Sequence, residues 1–304
     1  KKNPALFTGN PKIPKYRDKQ GYGICIFTSQ QVRIKEGYIH FPKHTDIQPV
    51  KTKVEKLQQV RIIPQATCFI IEVVYNKNPT IYEIDKSKFL SIDLGVNNIA
   101  TSINNVGEKP FIINGRVLKS KNQWYNKHKA KLMAYVGNKG TSNRIEQLTF
   151  KRNNYIEDKL HKISRFIVNY CIDHEIGTII IGKNPLWKQK INTGKRNNQN
   201  FVSLPHARLI QKITYKAEMA GIHVKVSEEA YTSKCDHLAL ESMQHHETYL
   251  GKRIKRGLFQ SSTHKLINAD VNGSIGIGRK VFGNSVVKQI ADSGLAFSPV
   301  KLTI

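Results

Sequence analysis

The run GTIIIG at residues 177–182 limits the fold more than any other stretch. It is apolar, rich in β-branched residues and too short for a helix, so it reads as a buried strand. A strand buried in this way needs helices beside it, and the flanking sequence supplies them. Upstream, Ile156, Leu160, Ile163, Ile167 and Tyr170 recur at steps of three and four, which places them on one buried helix face. Lys151, Arg152, Lys159, Lys162 and Arg165 occupy the rest of that helix. Downstream, a helix is expected from about 204 to 220, stopped by Gly221, and then a strand over 222–229. Residues 89–96 (FLSIDLGV) and 98–103 (NIATSI) read as two strands joined by a tight turn, and a last helix opens near Asn268 and runs through Val281. Long strands alternating with long helices make this an α/β domain.

The chain before residue 87 has a different pattern. Short alternating runs at 23–29, 37–41 and 68–75 are separated by Pro, Lys and Asp clusters, as in the antiparallel strands of a small barrel spanning 21–86. Residues 1–20 are basic and proline-rich and read as an extended arm.

Charge then narrows the partners. Lys and Arg number 49 against 22 Asp and Glu, a formal charge of +27, which repels itself in a compact state unless a polyanion neutralises it. Nucleic acid is the expected polyanion. The sequence has no apolar run near the ~20 residues of a spanning helix, and its first residues do not have the pattern of a signal peptide, so no membrane partner is expected. Cys25, Cys68, Cys171 and Cys235 form no CxxC pair, which fits a reducing cytoplasm and cysteines that serve as packing residues.

In so basic a chain the few acids are informative. Alternation along 89–96 puts Leu90, Ile92 and Leu94 on one face and Ser91, Asp93 and Gly95 on the other. Asp93 therefore stands in an otherwise apolar strand, where a buried carboxylate requires a cation, a hydrogen-bond partner or a metal. Asp270 lies at a helix start, where on the motif alone an N-terminal cap or a partner of the helix dipole is the favoured explanation. On the residues alone, a structural ion pair accounts for Asp93 as well as a ligand role does.

Taken in order, the IDLG strand, GKRNNQNF (194–201), YKAEMAGI (215–222), YTSKC (231–235), GKRIKRGLF (251–259) and INADVNGS (267–274) resemble TnpB, also called OrfB. This transposon-encoded family is related to type V CRISPR effectors and Fanzor proteins. The resemblance covers residues 10–283 and corresponds to the C-terminal portion of the family. It implies a RuvC/RNase H-like mixed sheet with flanking helices over 87–283, a degenerate zinc-ribbon-like insertion at about 234–264, a wedge-like barrel in front and a tail at 284–304. The implied activity is RNA-guided, magnesium-dependent DNA cleavage in the prokaryotic cytoplasm, at the nucleoid, with guide RNA and target DNA as partners. The family is often labelled transposase, but strand transfer is not implied.

The resemblance also implies a site of three carboxylates that together hold two magnesium ions. Asp93 matches the first and Asp270 the last. The usual middle glutamate is replaced by Gly182. One meaning is a nuclease-dead binder of RNA and DNA, acting as a repressor or transposon accessory. The other is a relocated glutamate just before the TS motif, where this chain has Glu228 and Glu229. Strand alternation sends the two to opposite faces. Glu229, three residues before Thr232, matches the relocated acid, with Glu228 as the alternative. Zinc is not expected, because only Cys235, His237, His245 and His246 remain where two CxxC pairs usually stand. Nucleic-acid contacts are expected from Lys119, Lys121 and Lys127, beside Trp124 and Tyr125 read as core. Further contacts are expected from Lys188, Lys195 and Arg196 in an irregular loop, and from Lys252, Arg253 and Arg256.

Overall fold

The computed structural model describes residues 21–137, 140–184 and 194–304. The arm at 1–20 and Lys188 lie outside the described residues, as does most of the loop around Lys188. The chain divides into two compact units, residues 1–77 and 78–304. The division falls before the expected boundary at 86/87, because Thr80 and Tyr82 already donate backbone hydrogen bonds to the carbonyls of Met219 and Ala220.

In the first unit, β1 (Cys25–Thr28), β5 (Gln59–Pro64) and β6 (Phe69–Val74) form one antiparallel sheet, and β2 (Arg33–Lys35), β3 (Tyr38–His40) and β4 (Val50–Lys51) form another. The strand-rich character is as expected, in the form of two three-stranded sheets. Their core is small: among the described residues it is built on buried Phe27, Val32, Ile39 and Val60. Cys25 and Cys68 are exposed, beyond the reach of that core, whereas Cys171 and Cys235 are buried. The reading of all four cysteines as packing residues is therefore corrected for the first two.

The second unit is a mixed sheet flanked by helices. Its six strands, in the order β11-β10-β7-β8-β9-β15, are β7 (Asp85–Asp93), β8 (Asn98–Asn104), β9 (Phe111–Asn114), β10 (Ile176–Gly182), β11 (His223–Ser227) and β15 (Val300–Leu302). β7, β8 and β9 form an antiparallel meander, whereas β10 runs parallel to both β7 and β11. The helices α1 (Arg116–Val136) and α2 (Asn143–Asp173) lie between β9 and β10, and α3 (Lys195–Val202) and α4 (His206–Glu218) precede β11. A small antiparallel sheet of β12 (Lys252–Lys255), β13 (Leu258–Gln260) and β14 (Leu266–Asn268) leads into α5 (Ala269–Phe282) and α6 (Ser285–Asp292).

Strand alternation sorts the core into two layers. Leu90, Ile92, Ile179 and Ile181 face Ile156, Leu160, Ile163 and Ile167 of α2 and Leu209 and Ile213 of α4. Phe89 and Ile180 point the other way, into a cluster with Val271, Ile275 and Ile277 of α5. β10 is thus buried on both faces, and each enclosed isoleucine contributes about 1.5–3 kcal/mol. Residues 284–304, expected as a tail, instead form α6, a short 3-10 turn and β15, which pairs in parallel with β9. Hydrogen bonding to an open sheet edge gives this short segment a fixed place that its own composition does not signal. No helix among the described residues is long and apolar enough to cross a membrane.

Candidate active site

Three strands deliver their C-terminal ends to one edge of the sheet. Ile92 pairs with Ile181 and Gly182 with Ser227, so Asp93, Gly182 and the residues just after Ser227 emerge together. The carboxyl ends of parallel strands are where α/β sheets place their ligands. Asp93 is the last residue of β7, whereas the sequence suggested mid-strand. β11 ends at Ser227, so Glu228 and Glu229 follow the strand and alternation does not decide their directions. Local hydrogen bonds do. The Glu229 amide donates to Asn184 Oδ1 at 2.9 Å, and both the amide and the hydroxyl of Thr232 donate to the Glu229 carbonyl at 3.2 and 2.9 Å. Glu228 is exposed, and its carbonyl accepts from Lys280 Nζ.

The Glu229 side chain turns inward against Gly182. A Cβ built on Gly182 would stand 2.5 Å from Glu229 Oε1 and 2.7 Å from its Cγ, and it would also collide with Ile277 Cδ1. The glutamate carboxyl therefore occupies the room that a side chain at 182 would need. Glu229 Oε1 is buried and has no hydrogen-bond partner among the described residues.

α5 brings the third acid. Asn268 caps the helix, its Oδ1 accepting from the amides of Asp270 and Val271 at 2.9 and 3.3 Å. The helix lies flat on β7 through a reciprocal pair: Ser91 Oγ donates to the Ser274 carbonyl at 2.7 Å, and Ser274 Oγ to the Ser91 carbonyl at 2.9 Å. Gly273 permits this approach, since a Cβ there would stand 2.9 Å from Asp93 Oδ2. Asn98 Nδ2 donates to Asp270 Oδ2 at 2.6 Å and so orients that carboxylate. Asn98, Asn184 and Gly273 were not singled out from sequence; a run of small residues in NGSIGIG was the available signal for close helix–sheet contact.

Electrostatics couple the acids. Lost hydration, followed by the charges of Glu229 and Asp270, holds the Asp93 carboxyl well above the usual range, and Arg253 opposes this. Burial pushes Glu229 up to about 7, with Lys280 opposing. A raised carboxyl binds a proton more tightly folded than unfolded, so its contribution falls as pH rises from about 4.5 through about 7. Metal-free protein is accordingly expected to lose thermal stability across that window, and Glu229→Gln to flatten the decline, as read by melting in chelator. Among the described residues, no three His, Cys, Asp or Glu side chains are close enough, as they stand, to hold a metal ion. An all-oxygen donor set with an orphaned buried oxygen and mutually repelling acids nonetheless fits a hard divalent cation in its chemistry.

The expected basic contacts are spread over three elements, of which Arg253 and Arg256 stand beside Asp270. Lys252 and Arg253 lie on β12 and Arg256 in the turn after it, all exposed. Lys119, Lys121 and Lys127 lie on α1, where Lys119 Nζ donates to Asn97 Oδ1 and Lys121 sits 4.7 Å over the ring of Trp124. Trp124 is 45% exposed, which corrects its reading as core. Lys195 and Arg196 open α3.

The segment at 234–264 is tied by a carboxylate network. Buried Asp236 accepts from Ser261 Oγ (2.8 Å), the Ser262 amide (2.7 Å) and the Ser262 hydroxyl (3.0 Å). Glu241 accepts from the Asp236 and Leu250 amides, while Arg279 donates to the carbonyls of Leu240 and Glu241. His237 is enclosed against Gly276, bonds the Thr232 carbonyl and is driven by burial down to about 4, so its ring is neutral. Asp236→Ala would take the acceptor from the buried Ser261 hydroxyl and the half-buried Ser262 amide and is expected to cost about 1–3 kcal/mol in denaturant unfolding.

Comparison with known proteins follows the same geography. The family OrfB_IS605, described as a probable transposase, matches residues 72–187, and the family "Cas12f1-like, TNB domain" matches 206–277. Asp93 falls in the first match, and Glu229 and Asp270 in the second. A Cas12f1-sgRNA-target DNA complex is structurally similar with a TM-score of 0.56 at 15% identity, covering 84% of this chain and 58% of that one. A CRISPR-Cas12f ternary complex aligns with a TM-score of 0.47 at 16% identity, covering 73% of this chain and 45% of that one. This chain thus spans little more than half of the Cas12f1 chain it resembles. No curated protein sequence matches it. Two family matches thus flank one sheet edge, so that the chain is similar to OrfB_IS605 over 72–187 and to the Cas12f1-like TNB domain over 206–277, and it shares the Cas12f1 fold over most of its length.

Proposed function

We propose that the chain is the catalytic portion of an RNA-guided, metal-dependent DNA endonuclease, with Asp93, Glu229 and Asp270 as its metal-holding carboxylates. One observation carries the reading: Glu229 places a buried carboxyl oxygen, unpartnered among the described residues, in the space left by Gly182, at the edge where Asp93 feels the charges of both Glu229 and Asp270. Such a constellation is costly for a structural role, because each acid raises the burden on the next. Its cost is explained if a cation is the missing partner. Magnesium suits these oxygen ligands, and when bound it supplies an activated water and stabilises the leaving oxygen of the cut strand.

The chain's own residues prepare that chemistry. Asn98 orients Asp270, and the Asn184 and Thr232 contacts fix the backbone of Glu229. Arg253 offsets the negative field at Asp93. The +27 charge attracts RNA and DNA, and guide pairing would supply sequence recognition. The guide RNA and target DNA named in the Cas12f1 complex support these partners for this chain. The test is cleavage of guide-matched duplex and of single-stranded DNA by the chain with its RNA, in magnesium and in chelator. Cutting only with magnesium supports the nuclease. Retained RNA and DNA binding with no cutting in either buffer rejects it in favour of a nuclease-dead binder.

A further inference from the structure

Glu229 stands on a loop, because β11 stops at Ser227, and so it lacks the strand pairing that holds Asp93 opposite Thr101. A carboxylate on a loop keeps a precise place only if neighbouring bonds supply what a strand would. Those bonds lead back to α5. Along this helix Asn272, Gly276 and Arg279 recur at steps of four and three, which puts them on one face, and each meets the segment that follows Thr232. Asn272 Nδ2 donates to the Cys235 carbonyl at 2.9 Å. Gly276 leaves the room in which the His237 ring lies, since a Cβ there would stand 2.3 Å from its Nε2. Arg279 donates to the Leu240 and Glu241 carbonyls at 2.7 and 2.5 Å.

His237 is fully enclosed, and both of its ring nitrogens are in use. A carbonyl can only accept, so the 2.8 Å contact with the Thr232 carbonyl places a proton on Nε2. Nδ1 then carries a lone pair, which accepts from Arg279 Nη1 at 3.4 Å. Arg279 keeps its protons, so it holds the ring in this tautomer, and burial keeps the ring uncharged. Thr232 passes the tether on, its amide and hydroxyl both donating to the Glu229 carbonyl. On the other side, Lys280 Nζ of the same helix donates to the Glu228 carbonyl at 3.0 Å.

We propose that His237 is a positioning residue for Glu229: with its tautomer set by Arg279 it holds Thr232, and Thr232 holds the glutamate. The proposal rests on the nuclease reading for what Glu229 does. α5 carries Asp270 in its first turn and Arg279 in its last, so one helix places one acid directly and the other through Arg279, His237 and Thr232. The segment at 234–264, where zinc is not expected, thereby has a role that needs no metal: its enclosed histidine keeps a loop-borne carboxylate in register with a helix-borne one. Groups one bond removed from a ligand act on activity through its orientation, typically by ~10–100-fold.

The experiment compares His237→Gln and His237→Asn with wild type, in the chain with its guide RNA. Glutamine carries its amide as far out as Nε2 and keeps a donor for Thr232, whereas asparagine keeps an acceptor for Arg279 near Nδ1 and loses that donor. Two quantities are read: hydrogen exchange of the segment 229–235 in chelator, and the magnesium-dependent cleavage rate at saturating target DNA. His237→Asn is expected to exchange the amide of residue 232 about fivefold faster or more, and to cut ~10–100-fold more slowly with target affinity unchanged. His237→Gln should stay within about threefold of wild type in both. Wild-type exchange and cutting in His237→Asn would overturn the proposal, as would a loss of cutting that merely follows the folded fraction of each variant, read by melting. Should His237→Asn not fold, Thr232→Val, which removes the next donor in the chain, must give the same fast exchange and slow cutting, and wild-type behaviour there overturns the proposal equally. A wild-type chain that never cuts, with exchange raised in His237→Asn and restored in His237→Gln, would reject the nuclease reading and leave the support of Glu229 by His237 standing.

Discussion

Asparagine at position 93 is expected to make the metal-free protein more stable while reducing cleavage by roughly three orders of magnitude or more. The two effects share one cause. The Asp93 carboxyl is held well above its usual range by lost hydration and by the charges of Glu229 and Asp270, so ionising it is unfavourable whenever no cation is present. A neutral amide of the same shape removes that burden. A higher melting temperature of the metal-free protein follows, because the buried charge that the fold disfavours is gone. The sign is fixed by linkage: a raised carboxyl is destabilising above its unfolded value, so the gain should be present near neutral pH and vanish in acid, where Asp93 is protonated in any case. Melting curves in chelator at neutral and acid pH, set beside cleavage rates in magnesium, measure both halves. A residue kept for structure would show the opposite, with stability and activity falling together.

A single methyl group at Gly182 should also damage activity, though less than the loss of Asp93. Gly182→Ala would place its Cβ 2.5 Å from Glu229 Oε1 and against Ile277, in a layer where Ile277 is fully enclosed. Overpacking of this kind costs about 1–3 kcal/mol, and the side chain able to yield is Glu229, which would leave the site as it moves. Cleavage is expected to fall at least tenfold, on the order of the barrier change that such a displacement produces. Gly182→Glu should be worse alone, because two carboxyls would compete for one space. Combined with Glu229→Gly it should recover stability, and the two substitutions should couple by ~1–3 kcal/mol in a double-mutant cycle of unfolding free energies. Additive effects would show that the two positions do not share the space.

Much of this architecture was legible because strand periodicity is strict. Leu90, Ile92 and Leu94 fall in one core layer, and Ser91 turns to α5, as alternation requires. The apolar face of α2 and the doubly buried β10 were legible for the same reason. β15 was not, because a three-residue strand with two exposed residues has no periodicity to read and exists by virtue of the β9 edge beside it. The glutamate question was legible only in part. Sequence showed that position 182 lacks an acid and that two acids stand before Thr232. The reason for choosing between them is spatial, because β11 stops short of both and Glu229 fills a void that only a glycine at 182 leaves. Likewise, the isolated Cys235 and scattered histidines disclosed nothing of the Asp236 network, whose partners at 261 and 262 are brought near by the turn after β13.

The relocation of the middle carboxylate is the central claim, and paired alanine substitutions test it most directly. Magnesium-dependent cleavage should disappear in Glu229→Ala and persist near the wild-type rate in Glu228→Ala, with guide RNA and target DNA still bound in both. Cleavage that survives Glu229→Ala, or that is abolished by Glu228→Ala instead, would contradict it.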